Sequence, residues 1–209
     1  MAIRDSIIKP RCKSCFVHKG DCFCKKISSL TLATKVSIII YKKEMTLPSN
    51  TAHLALKSLS NTQYFERGHK DTQIEESFID HDSYQPLFLY PSDDAKDLTP
   101  KLLESFNKPI NLIVPDGTWR QAKKVYRREK LLDSIPQVKL SLSEKTKYLL
   151  RRQKSEFGLC TFEAIVYALQ VIESKAVSDH LMKNFDIFQA AHLVTRDIFA
   201  KEKKKMGYS

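Results

Sequence analysis

Four short apolar runs set the strongest limit on how this chain can fold. They are residues 36–41 (VSIIIY), 87–90 (LFLY), 110–114 (INLIV) and 138–142 (VKLSL). Each run has the length of a strand and is apolar on both faces, which is typical of strands in a parallel sheet that helices cover on both sides. The pattern therefore predicts an α/β fold with a mostly parallel sheet.

Three helices are predicted around these strands, in addition to a basic helix that follows the third run. A turn followed by a helix is expected over residues 48–59. Residues 161–173 are apolar around most of their circumference, so this helix is expected to be buried, with Thr161 as its N-cap. A third helix begins at about Ser178, and its last apolar position is interpreted as a core histidine rather than a ligand. The apolar stripe of that helix consists of Leu181, Phe185, Phe188 and His192.

Four of the five cysteines are clustered near the N-terminus, within RCKSCFVHKGDCFCKK, and the fifth is interpreted as a small buried hydrophobe. Two thiolate pairs separated by a short loop can surround zinc, and four cysteines leave no open position, so the metal would be structural. Two disulfides or an iron–sulfur cluster are alternatives. The prediction is a zinc knuckle over residues 1–30, followed by an α/β domain over 31–209. The clustered cysteines are Cys12, Cys15, Cys22 and Cys24, and the fifth is Cys160.

The size and charge of the chain limit its class and its partners. A chain of 209 residues and 24.1 kDa fits one domain with a small appendage. No apolar run approaches the ~20 residues that span a bilayer, and the N-terminus lacks a signal peptide core, so we expect a soluble, cytoplasmic protein with no membrane partner. The net charge of +11 favours nucleic acid as a partner, with a basic surface kept for solubility as the alternative.

At residues 115–119 (PDGTW) the chain turns from the third apolar run into a basic segment. In a parallel sheet, ligands bind beyond the carboxyl ends of the strands. Gly117 permits a sharp turn, Thr118 can cap the next helix, and the N–H groups of the first turn favour an anion. Asp116 can accept a hydrogen bond or a proton, and Trp119 offers a flat face to a base. An ordinary Asp-Gly turn with a core indole explains the segment equally well.

The predicted helix after this turn is basic on one face, because its cations recur at i, i+3, i+4, i+7 and i+8. Only Glu129 offsets this charge nearby. The pattern indicates a surface that follows phosphates beside the turn. The cations of the helix are Arg120, Lys123, Lys124, Arg127 and Arg128, and its other face carries Trp119, Ala122, Val125 and Tyr126. A second basic cluster consists of Lys145, Lys147, Arg151, Arg152 and Lys154.

Several of these segments together resemble the DTW-domain family, the tRNA-uridine aminocarboxypropyltransferases. The Asp-x-Thr-Trp signature of that family matches residues 116–119, and the resemblance extends over nearly the whole chain. One departure lies at residues 41–44, where Tyr-Lys-Lys-Glu replaces the His-Pro-x-Glu of relatives, so the histidine is missing while Glu44 is kept. The other matching motifs are the cysteine pairs, Glu44 with Asn50-Thr51, Leu89-Tyr90-Pro91, Arg151-Arg152 and Thr161-Phe162-Glu163-Ala164.

The resemblance implies a fold related to the SPOUT methyltransferases, in which a knotted C-terminal region holds S-adenosylmethionine. It also implies a reaction, the transfer of the 3-amino-3-carboxypropyl group of S-adenosylmethionine to N3 of a uridine in tRNA, with release of methylthioadenosine. The sulfonium is already a good leaving group, so the protein mainly has to orient the reactants and accept the N3 proton.

The same resemblance implies roles for individual residues. Asp116 is either the base for the N3 proton or the ligand of the α-ammonium group. The N–H groups near Gly117 and Thr118 would take the α-carboxylate, while Trp119 would stack on the base or line the pocket. Glu163 has an alternative role as an acid at a helix N-terminus. The implied cosubstrate-binding residues are Leu89, Tyr90, Pro91, Asp116, Gly117, Thr118, Trp119, Leu159, Thr161 and Glu163. The implied RNA-binding residues are Arg120, Lys123, Lys124, Arg127, Arg128, Arg151 and Arg152.

Two other functions fit the same features. A SPOUT-like RNA methyltransferase would use the same cosubstrate but release S-adenosylhomocysteine, so the product separates it from the first function. A non-catalytic, zinc-containing RNA-binding protein would keep the basic surface but would bind no S-adenosylmethionine.

Overall fold

The computed structural model describes residues 11–45, 47–68, 73–141, 146–150 and 158–205. Within these ranges, six strands form one sheet in which every pairing is parallel. The strands are β1 (Lys35–Tyr41), β2 (Thr62–Arg67), β3 (Gln85–Leu89), β4 (Lys96–Asp97), β5 (Ile110–Asp116) and β6 (Gln137–Lys139). Their order across the sheet is β2-β1-β5-β3-β6-β4. The prediction of an α/β fold with a parallel sheet is confirmed.

Helices cover both faces of the sheet, as the apolar strands require. On one face, α2, α6 and α7 pack on Val36, Ile38 and Ile40 of β1, and on the other face α3 and α5 pack near Ile39 and Ile113. The helices are α1 (Lys42–Met45), α2 (Ala52–Ser58), α3 (Glu76–Ile79), α4 (Pro100–Leu103), α5 (Trp119–Arg128), α6 (Thr161–Ile172) and α7 (Lys175–Lys205). Short 3-10 turns lie at Lys19–Asp21 and Lys130–Leu132.

The four predicted strands are all present, and their observed ends differ from the predicted ones by up to three residues. The strand expected over residues 138–142 ends at Lys139, because its neighbours β3 and β4 pair with it only as far as Val138 and Lys139, while residue 142 lies outside the described residues. The structure adds β2 and β4, which the apolar pattern did not predict. β2 is an edge strand that is only partly buried, so its sequence, TQYFER, has no apolar run.

The cysteine segment packs against α7. Phe23 lies 5.6 Å from Phe188, measured between ring centroids, and both rings are buried. His192 is also buried beside these rings, which confirms its place in the core. It is not a satisfied histidine, because its buried Nε2 has no hydrogen-bond partner among the described residues. Burial, together with the charges of Arg11 and Arg196, lowers the pKa of His192 to about 4. Among the described residues, no helix is both long enough and apolar enough to cross a membrane.

Candidate active site

Asp116 is the last residue of β5 and lies opposite Ile40 of β1. The residue is only 4% exposed, and both of its carboxylate oxygens accept hydrogen bonds. Asn50 Nδ2 donates to Oδ2 at 2.6 Å, and Thr161 Oγ1 donates to Oδ1 at 2.5 Å. These donors stabilise the ionised carboxylate and fix its orientation. One oriented anion therefore lies at the edge of the sheet where parallel folds bind their ligands.

The loop before α2 connects Asp116 to the start of α6. Asn50 Oδ1 accepts from the Ala52 N–H at 2.7 Å, which orients the amide that holds Asp116. Thr51 Oγ1 accepts from the Phe162 N–H at 3.3 Å. Asn50 and Thr51 are both buried, and a buried polar group left without a partner costs about 1–3 kcal/mol. These hydrogen bonds therefore join segments that are far apart in the sequence.

A sharp turn at Gly117 leads from Asp116 into α5. Gly117 has φ of +131°, and a Cβ there would lie 2.8 Å from Gln121 Oε1. Thr118 is the N-cap, as predicted, because its Oγ1 accepts from the Gln121 N–H at 3.3 Å.

The cap of α5 is a full capping box, since Gln121 Oε1 also accepts from the Thr118 N–H at 2.6 Å. That N–H is one of the donors expected to take the α-carboxylate of a cosubstrate. A ligand carboxylate would therefore compete with Gln121 for it.

The N-cap of α6 is Cys160, so the prediction of Thr161 as the cap was wrong. Cys160 Sγ accepts from the Glu163 N–H at 3.5 Å, and Glu163 Oε2 accepts from the Cys160 N–H at 2.9 Å. Thr161 is consequently the first helical residue, and its hydroxyl is directed to Asp116 instead. Burial raises the pKa of the Cys160 thiol, which agrees with its interpretation as a buried, unreactive group.

Glu163 is fully buried, and its hydrogen bonds hold the chain segments next to the site in place. Because its carboxylate holds residues 146–147 against α6, Tyr148 reaches the loop before α2 and donates its hydroxyl to Ser49 O at 2.5 Å. Glu163 thus combines its alternative role, an acid in the first turn of a helix, with the support of a neighbouring loop. The donors to its carboxylate are Thr146 Oγ1 at 2.7 Å, the Lys147 N–H at 2.6 Å and the Cys160 N–H at 2.9 Å.

A cavity of about 300 Å³ opens beside Asp116, between the loop before α2, the turn into α5 and the start of α6. This volume lies at the lower end of the range for small-molecule sites. The lining offers carboxylates to an ammonium group, hydroxyl and amide donors to a carboxylate, and an apolar wall, so it fits the amino-acid part of S-adenosylmethionine. Its polar side chains are Glu44, Asn50, Thr51, Asp116, Thr118 and Thr161. Its apolar wall includes Leu47, Tyr148, Leu150 and Cys160.

Some of the residues predicted to bind the cosubstrate lie outside this lining. Leu89 and Tyr90 are buried at the carboxyl end of β3, the strand beside β5, and Pro91 is exposed directly after them. Tyr90 stacks on Phe88 and Tyr126, and burial raises its pKa. Leu159 is half-buried just before α6. These residues lie at the same edge of the sheet as the cavity but are not part of its lining.

Trp119 is 64% exposed at the first turn of α5, so the alternative of a core indole is wrong. Ala122 and Val125 are buried against the sheet, as the helical pattern predicts. The indole is therefore available to a partner beside the mouth of the cavity, although it does not line the cavity.

The basic face of α5 is exposed along its whole length. Its five cations, Arg120, Lys123, Lys124, Arg127 and Arg128, are all exposed. Glu129 does not offset them, because it is buried and forms an ion pair with Arg67. In the second basic cluster, Lys147 is exposed, whereas Lys145, Arg151, Arg152 and Lys154 lie outside the described residues.

The four clustered cysteines converge on one point, with their sulfur atoms within 4.8 Å of one another. Cys12 Sγ lies 4.0 Å from Cys24 Sγ, and Cys15 Sγ lies 3.7 Å from Cys22 Sγ. Sulfur atoms bound to one tetrahedral zinc at about 2.3 Å are about 3.8 Å apart, whereas a disulfide bond is about 2.05 Å long. The arrangement fits a single tetrahedral metal ion, and the structure contains these cysteines as free thiols.

The clustered thiols differ in acidity. Backbone N–H groups of Cys15 and Ser14 lower the pKa of Cys12 to about 6. Burial raises the pKa of Cys15 to about 12 and also raises that of Cys24. A divalent metal ion binds thiolates, so binding here is expected to release protons and to weaken as the pH falls.

Several residues that build the site were not predicted from the sequence. Gln121 follows Thr118 at the spacing of a capping box, a signal that was visible in the sequence. Asn50 and Glu44 were noted only as parts of matching motifs, without a role. The contact of Tyr148 with Ser49 joins residues 99 positions apart, and no local pattern indicates it.

Comparison with solved structures shows a similar fold in the SAM-dependent rRNA:acp-transferase Tsr3 from Vulcanisaeta distributa. The TM-score is 0.51 at 16% sequence identity, over 84% of this chain and 90% of that chain. At this level of identity the similarity concerns the fold alone.

The relatives that share sequence with the chain include a mouse and a fly protein. The tRNA-uridine aminocarboxypropyltransferase 2 of Mus musculus is 28% identical over 171 residues, which are 79% of this chain and 57% of the mouse protein. The protein of the same name from Drosophila melanogaster is 38% identical over 94 residues, 45% of this chain and 37% of its own length. The chain thus spans about half the length of the curated relatives it matches, or less. The DTW domain matches residues 9–193, most of the sequence, and the chain belongs to the DTW domain family.

Proposed function

We propose that the protein transfers the 3-amino-3-carboxypropyl group of S-adenosylmethionine to N3 of a uridine in tRNA. The observation that carries the proposal is the cavity at the carboxyl end of β5, where Asn50 and Thr161 donate hydrogen bonds to Asp116. The membership of the chain in the DTW domain family supports it. The mouse and fly relatives bear the name of this activity, and the structural neighbour is called an acp-transferase.

S-adenosylmethionine would supply the carbon that is attacked and, beside it, a sulfonium leaving group. The protein's own task is then to orient the reactants and to accept one proton. Asp116 would bind an ammonium group or accept from a uracil N–H. The hydroxyls of Thr118 and Thr161 also line the cavity, and that of Thr161 donates to Asp116.

tRNA would be held by the exposed cations of α5, which begins next to the cavity. A helix of 10 residues is about 15 Å long, so it can follow several phosphates away from the site. Trp119, at the cavity end of this face, offers an indole to a nearby unpaired base. Arg151 and Arg152 are assigned to the same surface from the resemblance alone.

We also propose that the four clustered cysteines bind a structural zinc ion. Their sulfur–sulfur distances support tetrahedral coordination, and four thiolates favour zinc among the common divalent metals. Elemental analysis of the purified protein should give one zinc per chain and none in a Cys15→Ser variant. One equivalent of iron with a visible absorption band would instead support an iron–sulfur cluster.

The SPOUT-type knot belongs to the same proposal. The sheet order supports it, since β5 lies between β1 and β3, and the segment after β6 returns to the carboxyl end of β5, where α6 begins. An experimental structure that traces residues 142–145 and 151–157 would test it. A path of these residues that passes outside the preceding loops would contradict the knot.

The function is tested by mass spectrometry of nucleosides from unmodified tRNA incubated with the protein and S-adenosylmethionine. The expected result is an aminocarboxypropyl group on uridine, with release of methylthioadenosine and no transfer by Asp116→Ala. Circular dichroism should show that this variant stays folded. A methyl group on the RNA would instead identify a methyltransferase, and no change in a full tRNA pool would overturn the proposal.

A further inference from the structure

We infer that Glu44 accepts the N3 proton of uridine, while Asp116 binds the α-ammonium group of the cosubstrate. This assignment rests on the proposed function and divides two tasks between Glu44 and Asp116, the two carboxylates that line the cavity among the described residues. Their surroundings differ in a way that suits this division.

Asp116 is suited to bind a cation and poorly suited to accept a proton. Its two oxygens already accept from Asn50 and Thr161, and hydrogen bonds to a carboxylate stabilise the ionised form and weaken it as a base. A buried carboxylate is also most stable beside a positive charge. An ammonium group in the cavity supplies that charge.

Glu44 has the opposite surroundings. It lines the same cavity and is half-buried, and its side chain makes no hydrogen bond or ion pair with any residue in the described part of the chain. All the lone pairs of its carboxylate are therefore open to a substrate N–H. Its partial exposure gives a bound proton a path to solvent.

The fold places Glu44 beside the reacting groups. Glu44 follows β1 directly, within α1, and β1 pairs with β5 so that Ile40 lies opposite Asp116. Two contacts fix this turn: His53 Nε2 lies 2.9 Å from Met45 O, which requires the proton on Nε2, and the Leu47 N–H donates to Glu44 O at 3.0 Å. The two carboxylates thus stand at the carboxyl ends of adjacent strands.

In the part of the chain that the structure describes, the other titratable groups that line or support the cavity already have partners or are buried. The Tyr148 hydroxyl donates to Ser49 O. The Cys160 thiol is buried with a raised pKa and caps α6. Glu163 is fully buried and accepts three hydrogen bonds from the backbone and Thr146. Among the described residues that line or support the cavity, Glu44 is the carboxylate without such a partner.

The assigned step is balanced in atoms and electrons. The electron pair of uridine N3 forms a bond to the γ-carbon of the methionine arm, and the carbon–sulfur bond breaks with its electrons going to sulfur, which becomes a neutral thioether. The N3 proton passes to the Glu44 carboxylate and from there to water. No oxidant or further reactant is needed.

The test compares Glu44→Gln with Asp116→Asn, two substitutions that keep size and remove charge. S-adenosylmethionine binding is measured by calorimetry without RNA, and single-turnover transfer to tRNA is measured at saturating cosubstrate across a range of pH. Glu104→Gln, an exposed glutamate after α4 and outside the cavity lining, is the matched control.

Glu44→Gln is expected to bind S-adenosylmethionine like the wild type and to transfer about 10²- to 10⁴-fold more slowly near neutral pH. The defect should shrink at alkaline pH, where N3 loses its proton to solvent. Asp116→Asn is expected to weaken cosubstrate binding about 10- to 100-fold.

Wild-type transfer by Glu44→Gln, or a loss of cosubstrate binding as large as that of Asp116→Asn, would overturn the assignment while the proposed function stands. A defect that stays constant with pH would also overturn it. A wild-type protein that transfers nothing to tRNA would instead overturn the proposed function, and the assignment with it.

Discussion

The two helices that begin at the cavity, α5 and α6, start with the same motif and then have opposite surroundings. Each begins with a capping box, formed by Thr118 with Gln121 in α5 and by Cys160 with Glu163 in α6. α5 buries only Ala122 and Val125 and exposes a row of cations, whereas α6 is buried along most of its length.

The difference shows how one local motif serves two purposes. In α5, the neutral Gln121 closes the cap at the surface, and the helix exposes its cations to solvent. In α6, the charged Glu163 is buried, so it needs several donors, and in meeting that need it fixes residues 146–147. The first box mainly begins a helix, and the second also supports the cavity.

The comparison predicts its largest effect at Glu163. Glu163→Ala leaves the Cys160 and Lys147 N–H groups and the Thr146 hydroxyl without their acceptor. The loss costs about 1–3 kcal/mol for the buried Cys160 N–H, and the two part-buried donors add to that cost. The free energy of unfolding, measured in urea, should fall by about 3 kcal/mol or more.

The matched control for that change is Glu76→Ala, which removes an exposed glutamate from the first turn of α3. A surface change of this kind usually alters stability by no more than about 0.5 kcal/mol. If Glu163→Ala lowered the free energy of unfolding no more than this control, the capping box of α6 would not support the neighbouring loop.

The fold was largely predictable because most of its strands are marked by short apolar runs of consecutive residues. β1, β3 and β5 lie inside the sheet, so both of their faces are apolar and the runs are visible in the sequence. β2 lies at an edge and alternates polar with apolar residues only loosely, so it was missed. A strand that is buried on both faces is apolar along its whole length, and this apolar run predicts it. In a strand that is only partly buried the apolar run is weaker, so the strand is harder to predict.

The site was predictable only in part, because contacts between distant segments build it. Asp116, Gly117 and Thr118 stand next to one another in the sequence, and the turn they form was predicted. The donors to Asp116 come from residues 66 positions before it and 45 after it. The choice of Cys160 as the cap of α6 likewise depends on the hydroxyl of Thr161 having a partner in β5, which only the folded chain provides.

An intermediate effect is expected on the exposed face of α5. Replacing Arg127 and Arg128 by Gln removes two exposed cations from its last turn. Each lost phosphate contact should reduce the slope of log affinity against log salt by about 0.7–0.9, so the double variant should bind tRNA more weakly and with a slope smaller by about 1.4–1.8. Titrations at several salt concentrations measure both quantities.

The control for the arginine pair removes the same charge elsewhere. Lys96→Gln with Lys101→Gln changes two exposed lysines of β4 and α4, away from the cavity. Equal slopes for the two double variants would show that α5 attracts RNA only through the net charge of the protein.

The smallest effect is expected at the exposed capping box. Gln121→Ala keeps the Thr118 hydroxyl as acceptor and removes only the reciprocal half of the box, so the loss of stability should be about 1 kcal/mol or less. The same change leaves the Thr118 N–H open to a ligand. If that N–H binds the α-carboxylate, calorimetry should show S-adenosylmethionine binding at least as tight as in the wild type, because a competing acceptor is gone. Weaker binding would mean that Gln121 contacts the ligand itself, and α5 would then take part in cosubstrate binding as directly as α6.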